Sequence, residues 1–141
     1  MKIKDRITKN KADNGTSTLI SSEFIPTSEF EHLYEWVRLG AANVRKNLAC
    51  IEEHQQRLRA QGETEKRLNE FDHWRQSVAF TDREKAALNL SETISLHEAG
   101  DVSTLILKNA RSYFSTHQIV RLMLTVVAVN EWIDLQSPFQ Y

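Results

Sequence analysis

Cys50 and His54, four residues apart in Ala49-Cys50-Ile51-Glu52-Glu53-His54, are the residues with the clearest capacity for chemistry. On a helix this spacing places thiol and imidazole on one face, where the imidazole can hydrogen-bond to the sulfur or deprotonate it. Cys50 is the only cysteine in the 141 residues, so no intramolecular disulfide can form and a redox cycle needs a thiol from elsewhere. Taken alone, the pair equally fits a small buried hydrophobe followed by an incidental histidine.

The other reactive side chains do not assemble into a competing centre. His32, His73, His97 and His117 stand far apart without the spacings zinc prefers, which leaves them exposed or capping roles. Zinc on Cys50, His54 and Glu35 is conceivable on ligand type alone, but neither a metal nor a cofactor is expected. Trp36, Trp74 and Trp132 accompany no glycine-rich phosphate loop and are expected to pack the core or an interface. Glu52 and Glu53 read as a solvated outer face.

Charge and composition narrow the partners. Eighteen basic against nineteen acidic residues leave a net charge of -1, which argues against a nucleic-acid binder working by phosphate neutralisation. A single cysteine fits a reducing compartment, and the cytoplasm is the default location. The N-terminal stretch lacks an apolar run of signal-peptide length. The longest apolar tract, Ile119 to Val129, is interrupted by Arg121 and Thr125 and is too short to cross a bilayer, so no membrane association is expected.

The elements that must position Cys50 and His54 are helical. With two prolines and four glycines, the chain reads as an all-α, single-domain bundle of about six helices over residues 27–141, preceded by a polar arm over residues 1–26. Thr27 or Ser28 can cap a helix whose apolar stripe runs through Phe30, Leu33, Tyr34, Val37, Ala41, Val44 and Leu48. It is expected to continue past a break at Gly40 and through Cys50 and His54 to a stop at Gly62. Thr64 opens a short helix carrying Leu68 and Phe71. The capping box Thr81-Asp82-Arg83-Glu84 starts a helix ending near Gly100, and Asp101 caps the next through Ala110. A second box, Ser115-Thr116-His117-Gln118, starts a last helix so apolar on nearly every side that it reads as a core helix.

Several blocks resemble the alkylhydroperoxidase D-like and carboxymuconolactone decarboxylase superfamily at consistent spacing. Glu35-Trp36-Val37-Arg38-Leu39 is similar to the family's Glu-Leu-Val-x-Leu, and Cys50-Ile51-Glu52-Glu53-His54 to its Cys-Ile-Asp-Met-His. Arg59 through Leu68 resembles its Ala-Gly-Glu-Thr block. Trp74-Arg75, Phe80 through Leu88 and Val129-Asn130-Glu131-Trp132 match later landmarks. The family's Cys-x-x-Cys has Asn47 at its first position here, and Lys46 in place of the preceding glycine.

The resemblance implies an all-α homo-oligomer with a small thiol site between helices. It implies Cys50 as nucleophile toward a hydroperoxide, His54 as proton shuttle and Glu35 as the group that tunes His54. The resolving cysteine is what Asn47 replaces. Asn47 could instead donate a hydrogen bond to the sulfur, and a protonated His54 could lower the thiol pKa. A one-cysteine cycle with an external thiol reductant is then the expected activity. The decarboxylase branch, acting on a lactone acid, is one alternative, although the sequence shows no clear cationic cluster for a substrate carboxylate. A catalytically weakened helical scaffold is the other.

Overall fold

The computed structural model describes residues 28–96 and 103–136, so the arm and the helix ends assigned to Thr27, Gly100 and Asp101 lie outside the described residues. Six α-helices and one 3₁₀ turn make up the described chain: α1 (Ser28–Arg45), α2 (Leu48–Ala60), α3 (Glu65–Glu70), the turn Phe71–His73, α4 (Asp82–Leu96), α5 (Thr104–Arg111) and α6 (Thr116–Gln136). The fold is all-α, with no strand among the described residues.

Helix α1 is the centre of the bundle and packs against α2, α4 and α6. Its expected stripe is buried from Phe30 to Ala41 and joins α4, α5 and α6 residues such as Leu90, Ala110, Leu122 and Val126. Its other side is buried as well: Trp36 and Leu39 meet Leu58, Leu68, Phe71, Phe80 and Leu88 in a second core. The Trp36 ring stacks on Phe71 at 5.4 Å and meets Phe80 edge-on at 5.0 Å. Two cores on opposite sides of one helix mean that a polar residue between them has little access to water.

The break in the first helical segment falls at Lys46, not at Gly40. Lys46 N–H bonds to Asn43 C=O and Asn47 N–H to Ala42 C=O, which is a Schellman ending with Lys46 in the left-handed conformation at φ 55°. Asn47 at once caps α2, its side-chain oxygen accepting the Cys50 N–H at 3.0 Å. Leu48 therefore leaves the stripe and stands 78% exposed. Gly40 serves close helix approach: a Cβ there would sit 3.2 Å from Ser91 Oγ on α4. That hydroxyl donates to the Val37 carbonyl at 2.8 Å inside the core.

The remaining punctuation follows local sequence. Gly62, at φ 96°, ends α2 as expected, with Glu63 N–H bonded to Leu58 C=O. Thr64 caps α3, and both capping boxes form reciprocally, Thr81 with Glu84 and Ser115 with Gln118. Ser103 caps α5. Helix α6 corrects the core-helix expectation: Ile119, Leu122, Val126, Val129 and Ile133 are buried, whereas Leu124, Trp132 and Leu135 are more than half exposed. Arg45 fixes its C-terminal half through Asn130 and through Asp134 at 2.5 Å.

A polar hub ties the second core to the α2–α3 junction. Glu63 accepts from His32 Nε2 at 2.6 Å, from Trp36 Nε1 at 3.2 Å and from Arg67, while Arg67 also donates to Glu84 and to the Ala79 carbonyl. The Arg67 guanidinium lies over the Phe80 ring at 4.7 Å. Burial works to raise the Glu63 pKa, but the hydrogen bonds from Arg67, His32 and Thr64 N–H hold it at about 2.

Candidate active site

Glu35, Cys50 and His54 reach one place from two helices. The Schellman turn at Lys46 folds α2 back along α1, and the third residue of α2 is Cys50. One turn further on, His54 is buried against α1, where its Nδ1 meets Glu35 Oε2 at 2.6 Å. Glu35 is only 2% exposed. Read alone it belongs to a solvated helix face; the two cores flanking α1 bury it instead. Its other oxygen accepts from Arg38 NH1 at 2.9 Å.

Electrostatics assign the protons. Burial is the largest influence on Glu35 and pushes its pKa up, yet the hydrogen bond from His54 and the Arg38 charge bring it below its ordinary value. The carboxylate is thus ionised near neutrality and can only accept, so His54 donates its Nδ1–H to it. Among the described residues Nε2 has no hydrogen-bond partner.

Burial pushes the Cys50 thiol up, and the neighbouring Glu53 charge adds to it; its place in the first turn of α2 acts in the opposite sense. The expectation of a thiol lowered by His54 is therefore corrected: burial and the Glu53 charge hold the Cys50 thiol above its ordinary value. Asn47 also differs from its expected task. Its carboxamide oxygen accepts the Cys50 backbone N–H, so it caps the helix turn that carries Cys50.

Cys50 and His54 line a cavity of about 600 Å³ whose polar side carries Arg38, Glu53, Arg57 and Arg121 and whose apolar wall is the exposed face of α6, with Leu124, Ala128, Val129 and Trp132. Sequence reasoning missed the arginines and the wall. Arg38 is three residues after Glu35 and Arg57 three after His54, a spacing that shares a helix face and was available as a signal. Residues 121, 124, 128 and 132 share one face of α6 by the same rule. Three arginines around one cavity correct the view that no cationic cluster exists. His73 is exposed, Trp36 lies in the core, and His97 is outside the described residues. Glu52 and Glu53 are exposed, as expected of an outer face. Among the described residues no group of three or more His, Cys, Asp or Glu side chains is placed to hold a metal ion, and no helix is long and apolar enough to cross a membrane.

No family model matches the chain. A crystal structure of a protein of unknown function from Agrobacterium tumefaciens, described as a candidate antioxidant defence protein AhpD, superposes with a TM-score of 0.73 over 98% of this chain and 94% of that one, at 21% identity. This likeness identifies the fold as AhpD-like. The uncharacterized protein YdfG of Bacillus subtilis is 30% identical over 98 residues, which span 70% of this chain and 67% of that protein. By that identity and coverage, this AhpD-like helical protein belongs to the family of Bacillus subtilis YdfG.

Proposed function

We propose that the protein is a single-cysteine, peroxidase-like antioxidant protein that reduces hydroperoxides with an external thiol. The observation that carries the reading is the buried Glu35–His54 pair at 2.6 Å, set beside the only thiol of the chain on the wall of one cavity. His54 Nε2 takes the Cys50 proton as the thiolate attacks the terminal peroxide oxygen. The O–O bond breaks, an S–O bond forms, and the proton passes to the departing alkoxide, giving alcohol and a Cys50 sulfenic acid. Sulfur is oxidised by two electrons and the peroxide is reduced by two. One external thiol then displaces water to form a mixed disulfide, and a second releases Cys50 as thiol with an external disulfide. Glu35 stabilises the imidazolium formed between these steps.

Placement in the wider alkylhydroperoxidase D-like superfamily and assembly as a homo-oligomer belong to the same reading. The description of the Agrobacterium neighbour supports the first, and sedimentation tests the second. The decisive experiment treats the protein with hydroperoxide and traps sulfenic acid with dimedone before mass spectrometry. Labelling of Cys50 that grows with peroxide, and is lost in His54→Asn, is expected; an unreacted Cys50 under turnover conditions refutes the proposal.

The three arginines favour a second reading, proton transfer on a carboxylate-bearing lactone acid with His54 as base. Turnover of such a lactone by Cys50→Ala would select it.

A further inference from the structure

We infer that the cavity beside Cys50 binds amphipathic organic acids, with the carboxylate at Arg57 and Arg121 and the apolar body along α6. Under the peroxidase reading, on which the choice of substrate rests, the substrate is then the hydroperoxide of such an acid. The wall and the charge come from different helices. Arg57 and Glu53 project from α2 beside Cys50, Arg121 lies on α6, and Leu124, Ala128 and Trp132 continue the α6 face away from it.

The cavity lining carries three guanidinium groups, those of Arg38, Arg57 and Arg121, and the carboxylate of Glu53. Arg38 is committed to Glu35 and, at 3.6 Å, to Glu31. Arg57 is the one best placed to exchange partners. Its bond to Glu53 joins side chains that are 56% and 50% exposed, and an ion pair of that kind contributes little and yields readily to a better acceptor. A guanidinium receives a carboxylate through two parallel hydrogen bonds. On the other side Trp132 stands 52% exposed on the cavity wall, an apolar surface that an alkyl chain would cover. A volume of about 600 Å³ lies within the range of small-molecule sites.

The test uses octanoate and neutral octanamide as probes, titrated calorimetrically into the Cys50→Ser protein so that no oxidation intervenes. Octanoate is expected to bind at least about tenfold more tightly than octanamide, the worth of one charge-assisted pair. Arg57→Gln and Arg121→Gln should each shrink that ratio. Glu53→Gln should enlarge it, an opposite sign that structural damage would not mimic. A ratio near one in the parent, a ratio unchanged by Arg57→Gln, or a ratio lowered by Glu53→Gln overturns the inference. Acid-selective binding in a protein whose Cys50 never forms sulfenic acid upholds the acid site while removing the peroxidase reading, so the two failures are distinct.

Discussion

Replacing Glu35 by glutamine tests whether the buried carboxylate drives the chemistry of Cys50 or only packs between helices. The substitution keeps shape and one neutral acceptor toward His54 Nδ1 but removes the charge that sits 2.6 Å from that nitrogen. With charge centres about 4 Å apart and an effective dielectric near 20, the lost attraction for a protonated His54 is about 4 kcal/mol. Relief of carboxylate desolvation and the surviving neutral bond return part of this, leaving about 2 kcal/mol against the transition state in which His54 holds the thiol proton. That corresponds to a roughly thirtyfold slower reaction. Arg38 is not orphaned, since Glu31 lies 3.6 Å away, so the fold should persist. The assay is the second-order rate of Cys50 oxidation by hydroperoxide in stopped flow, beside a thermal melt. Because the Glu35 pKa is lowered, its stabilisation is complete above the unfolded value and is lost as pH falls through the folded one, so the variant should melt with less dependence on acid pH. An oxidation rate within twofold of the parent, in a protein that melts normally, would show that Glu35 does not act through His54.

Alkylation of Cys50 by iodoacetamide should be slow at pH 7 and inflect above the range of a free thiol, and Glu53→Gln should move the inflection down; an inflection below that range contradicts the burial argument. Arg67→Met should cost about 3–5 kcal/mol in urea unfolding, because it leaves Glu63 and Glu84 without their shared partner in a largely buried site. Glu63 contributes stability that is complete above pH 4.5 and lost as pH falls toward about 2, so Glu63→Gln should flatten the loss of stability over that interval. Lys46→Gly should raise stability by up to about 1 kcal/mol by relieving the left-handed backbone, whereas Asn47→Ala should lower it by about 1 kcal/mol through loss of the α2 cap; chemical denaturation reads both. Asn47→Cys should restore a resolving thiol, seen by mass spectrometry as a disulfide between the introduced thiol and Cys50 after peroxide treatment and as dithiol-dependent turnover.

Much of this protein is legible one segment at a time. Thr64, Thr81, Ser115 and Gly62 place their helix ends as expected, because caps and left-handed turns are decided by bonds spanning a few residues. The Cys50–His54 spacing likewise announces a shared face before any neighbour is known. Misplacing the first break at Gly40 has the complementary cause. A glycine in a helix serves equally for a break or for close packing, and only the presence of Ser91 on α4 distinguishes them.

Sequence alone determined the all-helical architecture, the periodic faces and the candidate nucleophile and base, since each depends on local backbone preferences and on residue type. Tertiary structure decided the rest. It buried Glu35 between two cores and so fixed the tautomer of His54, and it raised the Cys50 thiol by removing water. It also set the outer face of α6 beside the arginines of α1 and α2, where together they line an open cavity. Burial, proton affinity and the lining of a cavity are properties of what surrounds a side chain, and those surroundings come from segments distant in the chain.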